Sequence, residues 1–310
     1  MAESTAQHSR LGAGDDFVAT FQIENSSVRG RITRMGDGAL DPILKRHDYP
    51  RWAAYLLAEA VTLAVLVSAS LKFDGKVLVQ AQGEGAVSLM VAEARSDGGV
   101  RGYLRLGHGK WQDIERINKG QRPHIPQLLG SGVLALMLQP SDPEQSPWQS
   151  MVPIEGATLS DCAQMWFSQS EQVPTRVRLA VAEVSEPGGT MRWRSGGALI
   201  QQVAGDATRG TTDDAWEYAW RLFDTIEDIE LVDPDVSSGT LLFRLFHESG
   251  VRLEPPRRLA DRCTCSADKL LDTMRRMDRR EILTLADADG ALSGDCQFCG
   301  RIYRFRADDI

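Results

Sequence analysis

The chain has 310 residues, enough for about two domains of ordinary size. Hydrophobic residues make up 42% and charged residues 25%, with no repeat period among the glycines and prolines, which argues against a disordered or fibrous chain. The net charge of −8 makes a poor general nucleic-acid binder and sets the chain against anionic lipid, because phosphate affinity comes from clustered Lys and Arg.

The opening stretch MAESTAQHSRLGAGDD lacks the apolar run of a signal peptide, so a reducing, cytoplasmic compartment is the expectation. Phe17–Glu24 and Ser27–Arg34 read as strands around a turn at Asn25-Ser26. Trp52–Ser70 is long and apolar enough to cross a bilayer. Glu59 in mid-run and the mixed charges on both flanks (Lys45 to Asp48, Lys72 and Asp74) favour a helix buried in a soluble core instead. Asp48 is placed to cap this helix and Pro50 to sit in its first turn. Lys76–Gln82, Ala86–Arg95 and Val100–Leu106 follow as strands, with turns at Gly83-Glu84-Gly85 and at Ser96 to Gly99, an antiparallel meander packed on helix. Proline-rich Gly107–Ser150, which also carries His108, reads as irregular structure around one strand at Gly132–Leu138. Thr158–Ser168 reads as a helix ended by Pro174. Val177–Val184 and Met191–Val203 form a second strand pair, broken at Pro187-Gly188-Gly189. The expected fold class is α+β: an antiparallel-sheet core domain with packed helices, followed by a helical linker and a small C-terminal domain whose residues are taken up below.

Composition shifts near Gly210. From there to Arg258 eleven Asp and Glu face five Arg, so this sixth of the chain holds most of its net negative charge. Asp214 with Glu217 resembles a helix start, and Trp216, Ala219, Trp220, Phe223, Ile226 and Ile229 follow at helical spacing. Thr240–His247 reads as a second helix, and Pro255-Pro256 as a boundary. The segment is an acidic connector whose aromatic stripe needs another surface, or an ordinary pair of helices.

Four of the five cysteines lie in the last 48 residues. Cys263 and Cys265 form a C-x-C pair, Cys296 and Cys299 a C-x-x-C pair, with thirty residues between. Two close pairs from separate chain turns can supply the four soft ligands that tetrahedral zinc prefers; a metal-free redox dithiol site is the alternative. Four thiolates close the coordination sphere, which suits a structural or switchable ion rather than a catalytic one. Gly294 and Gly300 are placed to allow a tight knuckle. Ala267–Met277 and Arg279–Leu285 read as helices and Ile302–Phe305 as a strand. A unit of about fifty residues needs such a staple. The basic run Arg275 to Arg280 is balanced over Leu259–Ile310, where nine Lys and Arg meet ten Asp and Glu, which favours a solvated face over a nucleic-acid contact. Cys162, beside Met165, Trp166 and Phe167, reads as a small core residue. The histidines are scattered, and no H-E-x-x-H, phosphate-binding loop or full dinucleotide fingerprint occurs, so no enzyme is expected.

The two cysteine pairs, with Cys299-Gly300-Arg301-Ile302-Tyr303-Arg304-Phe305 following, resemble the switch domain of the thirty-three-kilodalton chaperonin family, redox-regulated heat-shock holdases. Upstream, Arg46-His47-Asp48-Tyr49-Pro50, Gly83-Glu84-Gly85, Ala92-Glu93-Ala94-Arg95 and the stretch FSQSEQVPT at Phe167–Thr175 are similar to that family's core. Gly107–Ser150 and Cys162 stand outside the resemblance. The resemblance implies an ATP-independent chaperone that binds unfolding client proteins under oxidative stress. It implies zinc held by Cys263, Cys265, Cys296 and Cys299 in the resting form, disulfides Cys263–Cys265 and Cys296–Cys299 on oxidation, and a homodimer on activation. The resemblance implies a core–linker–switch order, which fits a core at 1–209, a linker at 210–258 and a switch at 259–310. Apart from the resemblance, the aromatic stripe makes Trp216, Trp220 and Phe223 the expected client-binding residues once the linker detaches. Two rival readings are a zinc-ribbon regulator of nucleic acid and a thiol-disulfide oxidoreductase using Cys296 and Cys299. The strand read after the second pair opposes the latter, since such enzymes place C-x-x-C at a helix start.

Overall fold

The computed structural model describes residues 14–306 apart from 25, 72, 108–110, 186–187, 204–211 and 288. The described residues up to Asp261 form one compact unit, and those from Arg262 a second.

In the first unit β1 (Phe17–Ile23) and β2 (Val28–Met35) form an antiparallel hairpin. Asn25 of the expected turn lies outside the described residues. Ser26 closes the turn, donating to the Ile23 carbonyl and accepting from the Val28 amide. The short helix α1 (Asp41–Lys45) precedes α2 (Arg51–Ser70). Asp48 does not cap α2, contrary to the sequence reading: Pro50 is itself the cap residue, and its carbonyl accepts from the Ala54 amide at 3.0 Å. Strands β3 (Gly75–Gly83), β4 (Val87–Arg95) and β5 (Gly99–Leu106) form the expected meander.

Residues 107–150 are not irregular structure around one strand. They hold α3 (Trp111–Asn118), α4 (Ile125–Leu129), β6 (Gly132–Pro140) and the start of β7 (Trp148–Pro153), which pairs with β6. The prolines misled because they sit where proline does no harm. Pro126 occupies the first turn of α4, where its missing N–H has no intrahelical partner to lose, and Pro140 ends β6. His108 lies outside the described residues.

Thr158 caps α5 (Leu159–Trp166) through a reciprocal box with Asp161, and a π-turn at Phe167–Glu171 leads to Gln172, which is left-handed at φ 53°. The long hairpin of β8 (Thr175–Ser185) and β9 (Met191–Gln202) follows; Pro187 of its expected turn lies outside the described residues. The acidic segment forms α6 (Thr212–Phe223), α7 (Asp228–Val232) and α8 (Ser238–Phe246). The single stripe expected through Ile229 is thus two helices. The Thr225 hydroxyl bonds back to the Leu222 carbonyl at 2.7 Å where the first ends, and Glu227 with Glu230 caps the second. Strands β10 (Val251–Leu253), β11 (Arg257–Arg258) and β12 (Ala260–Asp261) carry the unit past Pro255-Pro256: β10 and β11 pair with β1, and β12 runs parallel to β5.

One six-stranded sheet has the order β10-β1-β2-β9-β8, with β11 also on β1; the other runs β12-β5-β4-β3-β6-β7. Helix α2 packs on strands of both, which explains why it is apolar all round. It is long and apolar enough to cross a membrane by length and composition, and 83% of that window is buried inside the protein. The far face of the first sheet is covered by α6 to α8. Phe17, Phe21, Ile32 and Ile200 pack there against Phe223, Leu231, Leu245 and Phe246. Buried Arg34 of β2 ties this cover down, donating to the carbonyls of Glu230 and Asp233 at 2.7 Å each.

Glu59, buried in the middle of α2, pairs with Arg122 from the loop between α3 and α4. Burial pushes its carboxyl up to about 7 against the pull of Arg122, and Asp228 adds to the rise. Such a group favours the fold while protonated, and that contribution is lost as pH climbs from the unfolded value of 4.5 through about 7. Unfolding in urea across this window should show wild type losing about 3 kcal/mol relative to Glu59→Gln, with the two curves converging at the acid end. Parallel curves would contradict the assignment.

Candidate metal centre

The second unit contains α9 (Ala267–Met274), α10 (Arg279–Leu285) and the hairpin of β13 (Ala291–Asp295) and β14 (Ile302–Arg306). Helix α9 stops three residues short of the expected Met277. Among the described residues only Ile282 and Leu292 are buried apolar side chains here, with Ala286 and Phe305 partly buried against them. Leu285 and Ile302 are more than 60% exposed. A core of this size does not hold some forty-five residues together.

The sulfurs supply what the core lacks. Asp295 pairs with Ile302, so Cys296 to Arg301 form the tip of the hairpin. There the Gly300 amide donates to the Cys296 carbonyl at 2.7 Å and the Cys296 amide to the Arg301 carbonyl at 2.9 Å. Gly300 takes φ 69°, a left-handed backbone that disfavours a side chain. Gly294 has a different role from the one expected: it lies inside β13, where Leu270 of α9 comes within 2.8 Å of the place a Cβ would take. Cys263 and Cys265 lie in the segment between β12 and α9. Ser266 caps α9 by accepting from the Lys269 amide, and the Lys269 ammonium donates to the Thr264 carbonyl at 2.8 Å.

These two turns bring the four Sγ atoms within 4.8 Å of one another, all half-buried. Cys263 and Cys296 stand 3.7 Å apart, Cys265 and Cys299 3.4 Å. A tetrahedral ion with metal–sulfur bonds of about 2.3 Å requires sulfur–sulfur edges of about 3.8 Å. The cluster fits that requirement, so it is a metal site in its geometry. Its electrostatics agree. Burial pushes the Cys265 thiol up, but hydrogen bonds from Tyr303 and the other three sulfurs outweigh this and hold it at about 7. Cys299 is pushed up to about 12 by burial and by its crowded sulfur neighbours. Four sulfurs this close cannot all be thiolates unless a cation shares the space.

Tyr303 is the residue that sequence reasoning missed. Its hydroxyl lies 3.1 Å from Cys265 Sγ. The alternation in β14, with Ile302, Arg304 and Arg306 exposed, already placed Tyr303 and Phe305 together on the inner face. Of the expected basic run, Arg275 pairs with Asp272 at 3.5 Å. Cys162 is fully buried in the core of the first unit, where burial pushes its thiol up, and takes no part in the cluster. The linker aromatics belong to the first unit: Phe223 is buried, whereas Trp216 and Trp220 are partly buried against the same apolar cluster, with the Arg176 guanidinium 4.9 Å from the Trp220 ring.

The family model described as Hsp33 protein matches residues 16–306. The chain belongs to the Hsp33 family. It is 46% identical over 294 residues to the 33 kDa chaperonin of Caulobacter vibrioides, covering 94% of this chain and 95% of that one. The 33 kDa chaperonin of Photorhabdus laumondii is 33% identical over 295 residues, covering 95% and 94%. Among solved structures, the Thermotoga maritima 33 kDa chaperonin superposes with a TM-score of 0.73 at 20% identity, covering 94% of this chain and 96% of that one, which shows the shared fold. Members of the Hsp33 family are redox-regulated chaperones and not enzymes, so the oxidoreductase and nucleic-acid readings gain no support.

Chelating the bound metal from the reduced protein should abolish amide-exchange protection in α9 and in the β13–β14 hairpin while leaving α2 protected. Protection that persists in the hairpin after metal removal would show that the small core suffices.

Proposed function

We propose that this chain is an ATP-independent holdase switched on by oxidation of a zinc site made of Cys263, Cys265, Cys296 and Cys299. The observation that carries the reading is the placement of four sulfurs in tetrahedral reach inside a unit where, among the described residues, only Ile282 and Leu292 are buried apolar side chains. Sulfur-only donors suit zinc, which when bound holds the sulfurs as thiolates and ties the two turns together.

Each disulfide removes two electrons from two sulfurs. One thiolate attacks a peroxide oxygen, the O–O bond breaks and hydroxide leaves, giving a sulfenic acid. The second thiolate displaces hydroxide from that sulfur, and two protons from solvent turn both hydroxides into water. Family resemblance supports pairing Cys263 with Cys265 and Cys296 with Cys299, and all four sulfurs are within reach of one another. Oxidised sulfurs no longer bind the ion, and the second unit loses its staple.

The division into a core at 1–209, a linker at 210–258 and a switch at 259–310 gives this loss a consequence. The linker helices cover the apolar face of the first sheet, and Phe21 stacks on Phe246 with centroids 6.2 Å apart. Release of that cover exposes Phe17, Phe21 and Ile32 on the sheet, and Trp216, Trp220 and Phe223 on the linker, as the client-binding surface. The linker's acidic excess keeps the loaded complex soluble. Working as a homodimer in the reducing cytoplasm belongs to the same reading.

Treating the reduced, metal-loaded protein with peroxide should release one zinc per chain, consume four thiols and convert a protein that leaves a thermally unfolding client to aggregate into one that suppresses its light scattering. Disulfide mapping should find Cys263–Cys265 and Cys296–Cys299. Equal protection of the client before and after oxidation would overturn the switch, and disulfides across the two pairs would overturn the pairing. Independently, Arg34→Met removes two hydrogen bonds that hold α7, and should raise hydrophobic-dye binding and client protection in the reduced state. No gain in either would argue against the linker as cover.

A further inference from the structure

We propose that Tyr303 is a positioning residue of the sulfur cluster: its hydroxyl proton, held on Cys265 Sγ, restrains that sulfur and so sets how fast the cluster yields to an electrophile. This rests on the reading of the four cysteines as a thiolate site, and it concerns a residue outside the cysteine motif.

The geometry makes the contact a built one. Strand β14 carries Tyr303 and Phe305 on its inner face. Phe305 packs against Ile282 and Leu292, which fixes the strand, and the register with β13 sets Tyr303 opposite Gly294. From that anchored position the phenol reaches across to the other cysteine pair, 38 residues earlier in the chain, and stops 3.1 Å from its second sulfur. The hydroxyl has one proton, and the sulfur is the acceptor toward which it lies. The link therefore joins the C-x-C segment to the hairpin through a residue that is not itself a metal ligand, as outer-shell partners of metal ligands commonly do.

Its chemical effect follows from the lone pair it occupies. Alkylation or oxidation of a thiolate needs a free sulfur lone pair: with iodoacetamide the sulfur attacks the methylene carbon and iodide leaves, and with peroxide it attacks oxygen and hydroxide leaves. A donated O–H lowers the energy of that lone pair in the resting site and must be released as the new bond forms. Charge-assisted hydrogen bonds are the strong class, and loss of about 1.4 kcal/mol corresponds to a tenfold rate change.

The test is alkylation of the reduced, zinc-loaded full chain by iodoacetamide, with each cysteine read separately by peptide mass spectrometry. Tyr303→Phe keeps the ring and removes the hydroxyl. The ratio of labelling rates at Cys265 and Cys296 should rise about tenfold in this variant, and zinc release by peroxide should accelerate in step. If the variant merely loosened the unit, all four cysteines would speed up together and the ratio would stay at the wild-type value, which would overturn the proposal. So would an unchanged ratio in a variant whose circular dichroism matches wild type. Zinc content is measured first: a wild-type chain that binds no zinc would sink the metal site itself, a failure separate from that of Tyr303.

Discussion

Everything in the second unit depends on four sulfurs meeting in a space 4.8 Å across. Elsewhere in the protein the chain is held by apolar burial on both faces of a sheet or all round a helix. From Arg262 onward that resource is nearly absent, and the free energy that holds the fold has to come from coordination. A bound ion of the zinc type contributes on the order of 10–16 kcal/mol in small metal-held peptides, more than two buried side chains at about 2–3 kcal/mol each. The same atoms that fold the unit are its most oxidisable. Stability and sensitivity are thus one property, because an electrophile that takes a sulfur also takes a fold.

The chain leaves the first unit through β12, whose Asp261 is two residues before Cys263. Asp261 pairs with Arg46, and its amide donates to the Gly38 carbonyl. Arg46 lies in the stretch RHDYP that the family resemblance singled out, and it thereby acquires a structural reason: it fastens the last strand before the sulfur site. The other singled-out stretch, FSQSEQVPT, has a local reason too. It forms the π-turn and the left-handed Gln172 that turn the chain from α5 into β8.

Much of this was legible in the amino-acid order, for identifiable reasons. Alternation found β1 to β5, β8, β9 and β14, because each has one face on a core. The cysteine spacing placed the sulfur site because few other arrangements use two close pairs that way. What was hidden depended on long-range partners. Glu59 read as an oddity inside an apolar helix until Arg122 met it from 63 residues away. Residues 107–150 looked structureless because proline signals breakage by its identity, whereas its effect depends on position. The break after Phe223 was invisible to periodicity, since Ile226 and Ile229 keep helical spacing while the chain between them turns. Tyr303 had a readable face but no readable target.

The acidic cover on the first sheet has a property that follows from its lengths. Its helices have twelve, five and nine residues. Isolated helices shorter than about 12–15 residues are marginal in water, so these are folded because they are docked. Their undersides supply Phe223, Leu231 and Phe246 to the sheet, while Tyr218, Ile229 and Phe243 stay exposed on the outside. Such a cover cannot lift away as a rigid lid. Once Arg34 loses the carbonyls of Glu230 and Asp233 and the aromatic contacts part, the intrahelical hydrogen bonds lose their support as well. Undocking and unfolding are then a single event, which leaves a flexible acidic strand studded with aromatic side chains beside a bare apolar sheet. The undocked segment has no fixed shape, whereas the sheet keeps its strand order, so only the segment could adapt to surfaces of different form.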